Sequence, residues 1–245
     1  MDFKPVIKKN IKTYTCMPAG AGDILCLISV AHTLARTTGD KISIYGCQDI
    51  VEAYNDGILS YGQNGEVINI FNDIWNLHRS QDGACKHYLH TFYKLLMPNS
   101  DLYDHFEFPN FPEEPKRCLI QPWSVAAQNP SDEYIQNIID TFQNVTGKEL
   151  FCIGKQNTDR RLKNLNYSLL EDGLTKMMGH IQNAEIVLTP RSFSANCAAG
   201  YNTKCFLWMP NDSENWQLNF PNWNVKKVFH ENGIYKAINE LKGWI

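Results

Sequence analysis

Short β-forming runs alternate with helical segments along most of this chain, and this alternation constrains the fold more than any other feature. Near the N-terminus, Ile11 to Met17 predicts a strand, Ile24 to Leu34 a helix buried over much of its surface, and Lys41 to Gly46 a second strand. The alternation returns more regularly between Arg117 and Lys242. It predicts an α/β fold with doubly wound parallel sheets, whose ligands gather at the carboxyl ends of the strands.

A proline-rich segment divides the chain. Pro109, Pro112 and Pro115 fall within seven residues, and neither a helix nor a central strand tolerates that spacing. We therefore predict an N-terminal α/β domain over residues 1–108, a linker over 109–116 and a C-terminal α/β domain over 117–245. In the second domain we expect strands at 117–121, 150–153, 184–188 and 204–208, and helices at 131–143, 171–181, 192–199 and 233–242.

Composition narrows the class of protein. A net charge of -3 and a pI near 6.2 argue against a strong polyanion binder, although they leave a local basic groove open. The eight cysteines include no CxxC pair, and several lie in apolar runs, which predicts reduced, buried thiols. The N-terminus lacks the apolar core of a signal peptide, and no apolar run approaches ~18 residues. We therefore expect a soluble, cytoplasmic protein without a membrane span.

The loop Gly20-Ala21-Gly22-Asp23 precedes the first helix and is similar to a dinucleotide-binding turn, but it lacks the full fingerprint. A third glycine would be needed where Leu25 stands, and the second strand ends in Gly46-Cys47 without a ribose-binding acid. An NAD-dependent enzyme is thus disfavoured. What remains is a glycine loop with a carboxylate at the start of a helix, where Asp23 has either a chemical role or the simpler role of N-cap.

A second polar segment runs from Thr189 to Gly200, between two predicted strands. Hydroxyls and unpaired amides at a helix start suit a phosphate, and Arg191 adds a guanidinium that can bind diphosphate oxygens in a forked manner. The alternative is that Ser192 caps a core helix and Arg191 makes a surface ion pair. Both interpretations stay open at this point.

Three segments, taken in this order, resemble glycosyltransferase family 9, the heptosyltransferases. Gly22-Asp23-Ile24-Leu25 resembles the family's Gly-Asp motif, Leu119 to Ser124 resembles the strand and loop that open its C-terminal domain, and Ile181 to Gly200 resembles its donor-binding stretch. The resemblance implies the GT-B architecture, two Rossmann-like domains with parallel sheets facing across a cleft. It also implies an inverting, metal-independent transfer of a sugar from a nucleotide-diphosphate sugar to an acceptor hydroxyl, in a bacterium or a phage-infected cell.

Residue roles follow from the resemblance. Asp23 is the implied catalytic base, and Gly20 and Gly22 form the acceptor-side loop. The implied donor-binding residues all lie in the C-terminal domain: Trp123, Ser124, Lys155, Arg191, Ser192, Phe193, Ser194 and Asn196. For Lys155 a solvated loop lysine is the alternative. No cofactor beyond the nucleotide sugar is expected. We predict no metal site, since Cys85, His87 and His90 would not share a helix face and have no fourth ligand.

The sequence also departs from the family pattern. Arg191 stands where the family has Asp, Phe193 and Ser194 where it has Gly-Pro, and Asn196 where it has His. The donor's identity therefore does not carry over, and a non-catalytic nucleotide-sugar-binding protein of the same fold is the alternative function. The acceptor is expected to be a glycan or a hydroxymethylated base in DNA, for which local charge would come from Lys4, Lys8, Lys9 and Lys12.

Overall fold

The computed structural model describes residues 12–63, 65–79, 89–99, 101, 105–124, 129–154, 162–170, 172–210 and 224–245. Within these ranges the chain forms two parallel β-sheets, one of four strands and one of five, with helices packed against them. The predicted α/β fold with two parallel sheets is confirmed.

The first sheet has the strand order β3-β2-β1-β4, with every neighbouring pair parallel. Its register sets Tyr14 beside Ile44 and Ile44 beside Tyr61, so the carboxyl ends of three adjacent strands share one edge. The elements of this half are β1 (Lys12–Thr15), α1 (Ala21–Thr38), β2 (Ile42–Ile44), α2 (Gln48–Ala53), β3 (Leu59–Tyr61), β4 (Glu66–Asn69), α3 (Phe71–Arg79) and α4 (Leu89–Leu96).

The second sheet has the order β6-β5-β7-β8-β9 and is also entirely parallel. Its elements are β5 (Cys118–Ile120), α5 (Asp132–Thr146), β6 (Leu150–Cys152), α6 (Leu174–Gln182), β7 (Ile186–Pro190), α7 (Phe193–Gly200), β8 (Cys205–Met209), β9 (Val225–Phe229), a 3-10 turn over His230–Asn232, and α8 (Ile234–Lys242). Along β8, successive side chains enter opposite cores: Leu207 packs in one cluster, and Phe206 and Trp208 in the other. Both faces of this sheet are therefore covered.

The larger hydrophobic core is continuous across the two halves. It joins Leu25 and Leu27 of α1 with Val187 of β7 and with Cys197 and Ala198 of α7. Helix α1 is fully buried from Leu25 to Ala31, because β1 and β2 lie on one side of it and α4 and α7 on the other. A helix enclosed in this way can be apolar around its whole circumference, which explains the run Ile24 to Ala31.

The segment between the two sheets, residues 105–117, contains neither helix nor strand. Glu107 ties its beginning to α1: its amide donates to the Ser29 Oγ (2.7 Å), and its carboxylate binds His32 and Arg36. Two residues later, the Pro109 carbonyl accepts the hydroxyl of Tyr201 at 2.8 Å, beyond the end of α7. The predicted linker lies inside this stretch, and the domain boundaries at 108 and 117 stay a prediction.

Several predicted elements shift in the structure, and others were missed. Helix α1 begins at Ala21, three residues before its predicted start, and Ser131 caps α5 as predicted by accepting the Tyr134 amide at 3.2 Å. Helices α2 and α3 and strands β3 and β9 were not predicted. The sequence also predicts a helix over 84–97; its C-terminal part is observed as α4, and residues 84–88 lie outside the described ranges.

Seven cysteines fall within the described ranges; all are free and six are buried, in agreement with the predicted reduced thiols. Across the same ranges, none of the helices combines the length and apolar character needed to cross a lipid bilayer.

Candidate functional site

The helices that begin at the carboxyl ends of the two sheets meet near their first turns. The side-chain amide of Asn196 on α7 donates to the Gly22 carbonyl on α1 at 3.3 Å. A Cβ built on Gly22 would lie 2.9 Å from the Asn196 Nδ2, so a larger residue there would displace the Asn196 side chain. Nearby, the carboxylate of Asp49 on α2 lies 3.9 Å from the corresponding Cβ position of Gly173, the N-cap of α6. The carboxyl edges of the two sheets therefore face each other.

Asp23 lies beside this contact, in the first turn of α1. It is the third helical residue, and Gly20 occupies the N-cap position, so the alternative that made Asp23 the N-cap is wrong. The helix starts earlier than predicted because the Gly20 carbonyl already accepts the amides of Asp23 and Ile24. The Asp23 carboxylate accepts the amide of Gly20 at 3.1 Å, which fixes the glycine loop to the helix start.

Burial raises the pKa of Asp23 to about 6. The hydrogen bond from the Gly20 amide and the positive charge of Arg191 both act in the opposite direction and are outweighed. The Asn196–Gly22 hydrogen bond brings the two predicted site segments together although they belong to different sheets, and the charge of Arg191 acts on Asp23. A carboxyl with a pKa near 6 holds a proton weakly enough to act as a base at neutral pH.

The second predicted segment forms the end of β7 and the start of α7. Ser192 is the N-cap residue, but its hydroxyl pairs with the Thr189 hydroxyl at 2.8 Å and makes no capping bond to the helix. The capping role considered for Ser192 is therefore not what its side chain does. Ser194 is fully buried, and its hydroxyl has no hydrogen-bond partner among the described residues. The first amides of a helix such as α7 have no intrahelical acceptor, which suits an anion at this end of the helix.

The other residues predicted to bind the donor lie in different surroundings. Phe193 is only 8% exposed and packs in the core shared by the two halves, so its side chain serves packing. The Trp123 indole donates to Asp132 on α5 at 3.3 Å and packs against the second core cluster. The Ser124 backbone is held by Asn129 through two 2.8 Å hydrogen bonds. Lys155 lies outside the described residues.

Three exposed apolar side chains at the same edge of the first sheet were not predicted as functional. Met17 follows β1, Tyr45 follows β2 and Tyr61 ends β3, and their exposed fractions are 42%, 37% and 36%. The two tyrosine rings stack with centroids 6.2 Å apart and an interplanar angle of 24°. A large apolar residue at the carboxyl end of a predicted strand was the available signal for Met17 and Tyr45. Tyr61 could not be found because β3 itself was not predicted.

Among the described residues, no group of three or more His, Cys, Asp and Glu side chains could hold a metal ion. The residues Cys85 to His90, which were considered as metal ligands from the sequence, lie mostly outside the described residues.

No protein-family model matches this chain, and no curated protein matches it. Solved structures do. The family 9 glycosyl transferase from Veillonella parvula superposes with a TM-score of 0.64 at 11% identity, covering 96% of this chain and 90% of that one. The Escherichia coli heptosyltransferase WaaC with ADP gives 0.61 at 9% identity, with coverages of 94% and 99%.

The glycosyltransferase TibC from enterotoxigenic E. coli, described as iron-containing and dodecameric, superposes with a TM-score of 0.67 at 11% identity. The match covers 92% of this chain but 63% of TibC, so this chain spans less than two thirds of TibC's length. At identities this low, the superpositions show the architecture alone. Two parallel sheets with facing carboxyl edges, matched over nearly the whole chain to these enzymes, give this protein the GT-B fold.

Proposed function

We propose that this protein is a glycosyltransferase that moves a sugar from a nucleotide-diphosphate sugar to an acceptor hydroxyl. The observation that carries the proposal is Asp23, a half-buried carboxyl with a pKa raised to about 6, at the contact between the two halves of a GT-B fold. Residues 1–108 form the acceptor side and residues 117–245 the donor side. The protein acts in the cytoplasm of a bacterium or of a phage-infected cell.

The proposed chemistry is an inverting displacement. The Asp23 carboxylate removes the proton of the acceptor hydroxyl as its oxygen attacks the anomeric carbon, and the bond from that carbon to the diphosphate breaks. The nucleoside diphosphate leaves with the bonding electrons. Arg191, the Ser194 hydroxyl and the first amides of α7 receive its negative charge, so the transfer needs no metal ion. The closeness of Arg191 to Asp23 supports placing the base and the charge-stabilising groups on opposite sides of one reacting carbon.

ADP-sugars are the first donors to test. WaaC was solved with ADP and with ADP-2-deoxy-2-fluoro heptose, and TibC with ADP-D-β-D-heptose. The substitutions at Arg191 and Asn196 allow a different sugar or nucleotide. The acceptor hydroxyl belongs to a glycan or to a hydroxymethylated base in DNA.

The alternative is a nucleotide-sugar-binding protein of the same fold without catalysis. One observation favours it: Asn196, which stands where the resemblance expects His, hydrogen-bonds the Gly22 carbonyl next to the proposed base. This hydrogen bond uses one N–H of Asn196 to join the two halves, a structural role that a binding protein without catalysis would also keep.

A thermal-shift panel of UDP-, ADP-, GDP- and CMP-sugars, with NAD as the comparison, tests donor binding. Stabilisation by one sugar nucleotide identifies the donor, and a flat response would contradict the proposal. Release of nucleoside diphosphate by the wild type and by Asp23→Asn then separates the two candidates. A transferase loses its activity in the variant and keeps donor binding, whereas a binding protein releases no diphosphate in either form.

A further inference from the structure

We propose that Met17, Tyr45 and Tyr61, called the edge row below, form the acceptor-binding surface and bind an uncharged sugar ring. This inference rests on the proposed glycosyl transfer and narrows its acceptor from a glycan or modified DNA to a neutral saccharide.

The three residues of the edge row are neighbours because their strands are adjacent in the sheet. Its three residues lie at the carboxyl ends of β1, β2 and β3, which are neighbours in the sheet. Six large hydrophobic side chains are exposed in the described part of the chain, and three of them belong to this row. Half of the exposed apolar side chains therefore fall on one edge, where ligands of parallel α/β sheets bind.

Contacts at Thr15 and at Gly46 hold two members of the row near the start of α1. The Thr15 hydroxyl accepts the Met17 amide at 3.2 Å and donates to the Tyr45 carbonyl at 2.9 Å, which ties two members of the row together. Beside Tyr45, Gly46 has a φ of +130°, and a Cβ there would lie 3.1 Å from the Ile24 side chain. The loop that carries Tyr45 thus rests on the residue that follows the proposed base.

The charge along this edge selects against anions. The segments that form it, residues 16–24, 45–51, 61–63 and 69–74, contain Asp23, Asp49 and Asp73 but no lysine or arginine. Lys12 and Lys41 lie at the opposite, amino ends of β1 and β2, and Arg36 is in the last turn of α1, where it binds Glu107. A phosphorylated, carboxylated or nucleic-acid acceptor would meet like charge from these segments, and Arg191 of the facing sheet is assigned to the diphosphate of the donor.

The shape and chemistry of the row suit a pyranose. Tyrosine rings offer an apolar face with little rotational freedom to lose, and their hydroxyls remain available for hydrogen bonds. The two rings stack with 24° between their planes, so each ring has one face turned towards the other and one face left for a sugar. A neutral sugar has a C–H-rich face that can pack on such a ring and hydroxyls that remain free for hydrogen bonds.

The test measures acceptor binding without a donor, by ligand-observed NMR on the purified full chain. The neutral probes are methyl glycosides of glucose, galactose and mannose, and the anionic probes are glucose phosphate, glucuronate and a short thymidine oligonucleotide. We expect at least one neutral glycoside to bind, and Tyr45→Ala and Tyr61→Ala each to weaken it about three- to tenfold. Tyr45→Phe should retain binding. Tyr235→Ala, which removes a tyrosine that is 83% exposed on α8, is the matched control and should bind like the wild type.

Unchanged affinity in both alanine variants would overturn the inference, as would anionic probes that bind as well as neutral ones or an absence of binding by every neutral glycoside. If an alanine variant fails to fold, fluorotyrosine incorporated into the wild-type chain gives the same answer. In that measurement the Tyr45 and Tyr61 resonances should move on glycoside addition, and that of Tyr235 should not. A flat nucleotide-sugar panel together with tyrosine-dependent glycoside binding would refute the transferase and leave the sugar surface standing.

Discussion

Replacing Asp23 by asparagine should make the protein more stable while it removes the proposed base. Burial raises the pKa of Asp23 from 3.8 to about 6, so ionising it costs more in the folded protein than in the unfolded chain. Each pKa unit corresponds to ~1.4 kcal/mol, which puts the cost at about 3 kcal/mol when the group is fully ionised. Asparagine keeps an acceptor for the Gly20 amide, and the attraction of Arg191 is already included in the net pKa shift. We therefore expect a gain of up to about 3 kcal/mol in the free energy of unfolding.

The pH dependence of the gain identifies its cause. A folded-state pKa raised above the unfolded value gives stability that is fully present below about pH 4 and is lost as the pH rises through about 6. The wild type should thus lose stability across this window and the variant should not. Urea unfolding of both proteins at about pH 4 and about pH 8 measures this, with the gain absent at the lower pH and complete at the higher.

Asp40→Asn is the matched control, because Asp40 is an exposed aspartate just beyond the end of α1. That variant should match the wild type at both pH values. An equal gain at the two pH values for Asp23→Asn, or a loss of stability near pH 8, would refute burial of the charge as the cause.

Three further predictions follow from contacts away from the base. Gly200→Ala should destabilise the fold by about 1–3 kcal/mol, because a Cβ there would lie 2.1 Å from the Phe108 ring; urea unfolding measures it, and wild-type stability would contradict the packing. Ser194→Ala should leave stability unchanged, since the buried hydroxyl has no partner among the described residues, but should reduce the thermal shift caused by the donor. The hydrogen bond from His180 lowers the pKa of Asp172. A lowered pKa contributes stability above the unfolded pKa of aspartate, and this stability is lost as the pH falls through the folded pKa. His180→Gln should therefore cost more stability near neutral pH than in acid, and an equal cost at both would exclude the carboxylate as the source.

The alternation of strands and helices was readable from sequence because both sheets are parallel and buried. Strands such as Val187-Leu188 and Phe206-Leu207 pack on both faces and so form continuous apolar runs. The missed strands lack this property. In β3 only Leu59 is buried, and β9 carries Lys226 and Lys227 at the sheet edge, so neither stands out from a polar loop.

The sequence predicts which segments form the candidate site, but it does not predict the contacts between them. Asp23 and Arg191 follow strands whose carboxyl ends could be located, and that placed each of them at a ligand-binding edge. The hydrogen bond between Gly22 and Asn196 joins residues 174 positions apart and depends on how the two sheets pack. Local sequence holds no signal for such a bond. The burial of Phe193 in the core shared by the two halves has the same origin, and its donor-binding role stays a prediction.

The ties on either side of Phe108 limit how the two halves can move. Glu107 is bound to α1 and Pro109 to Tyr201, so a single residue lies between the last anchor on one side and the first on the other. The Phe108 ring rests on Tyr201, with centroids 5.1 Å apart, and presses against Gly200. A change in the relative position of the two halves would therefore have to alter the backbone of Phe108 or break one of these two hydrogen bonds.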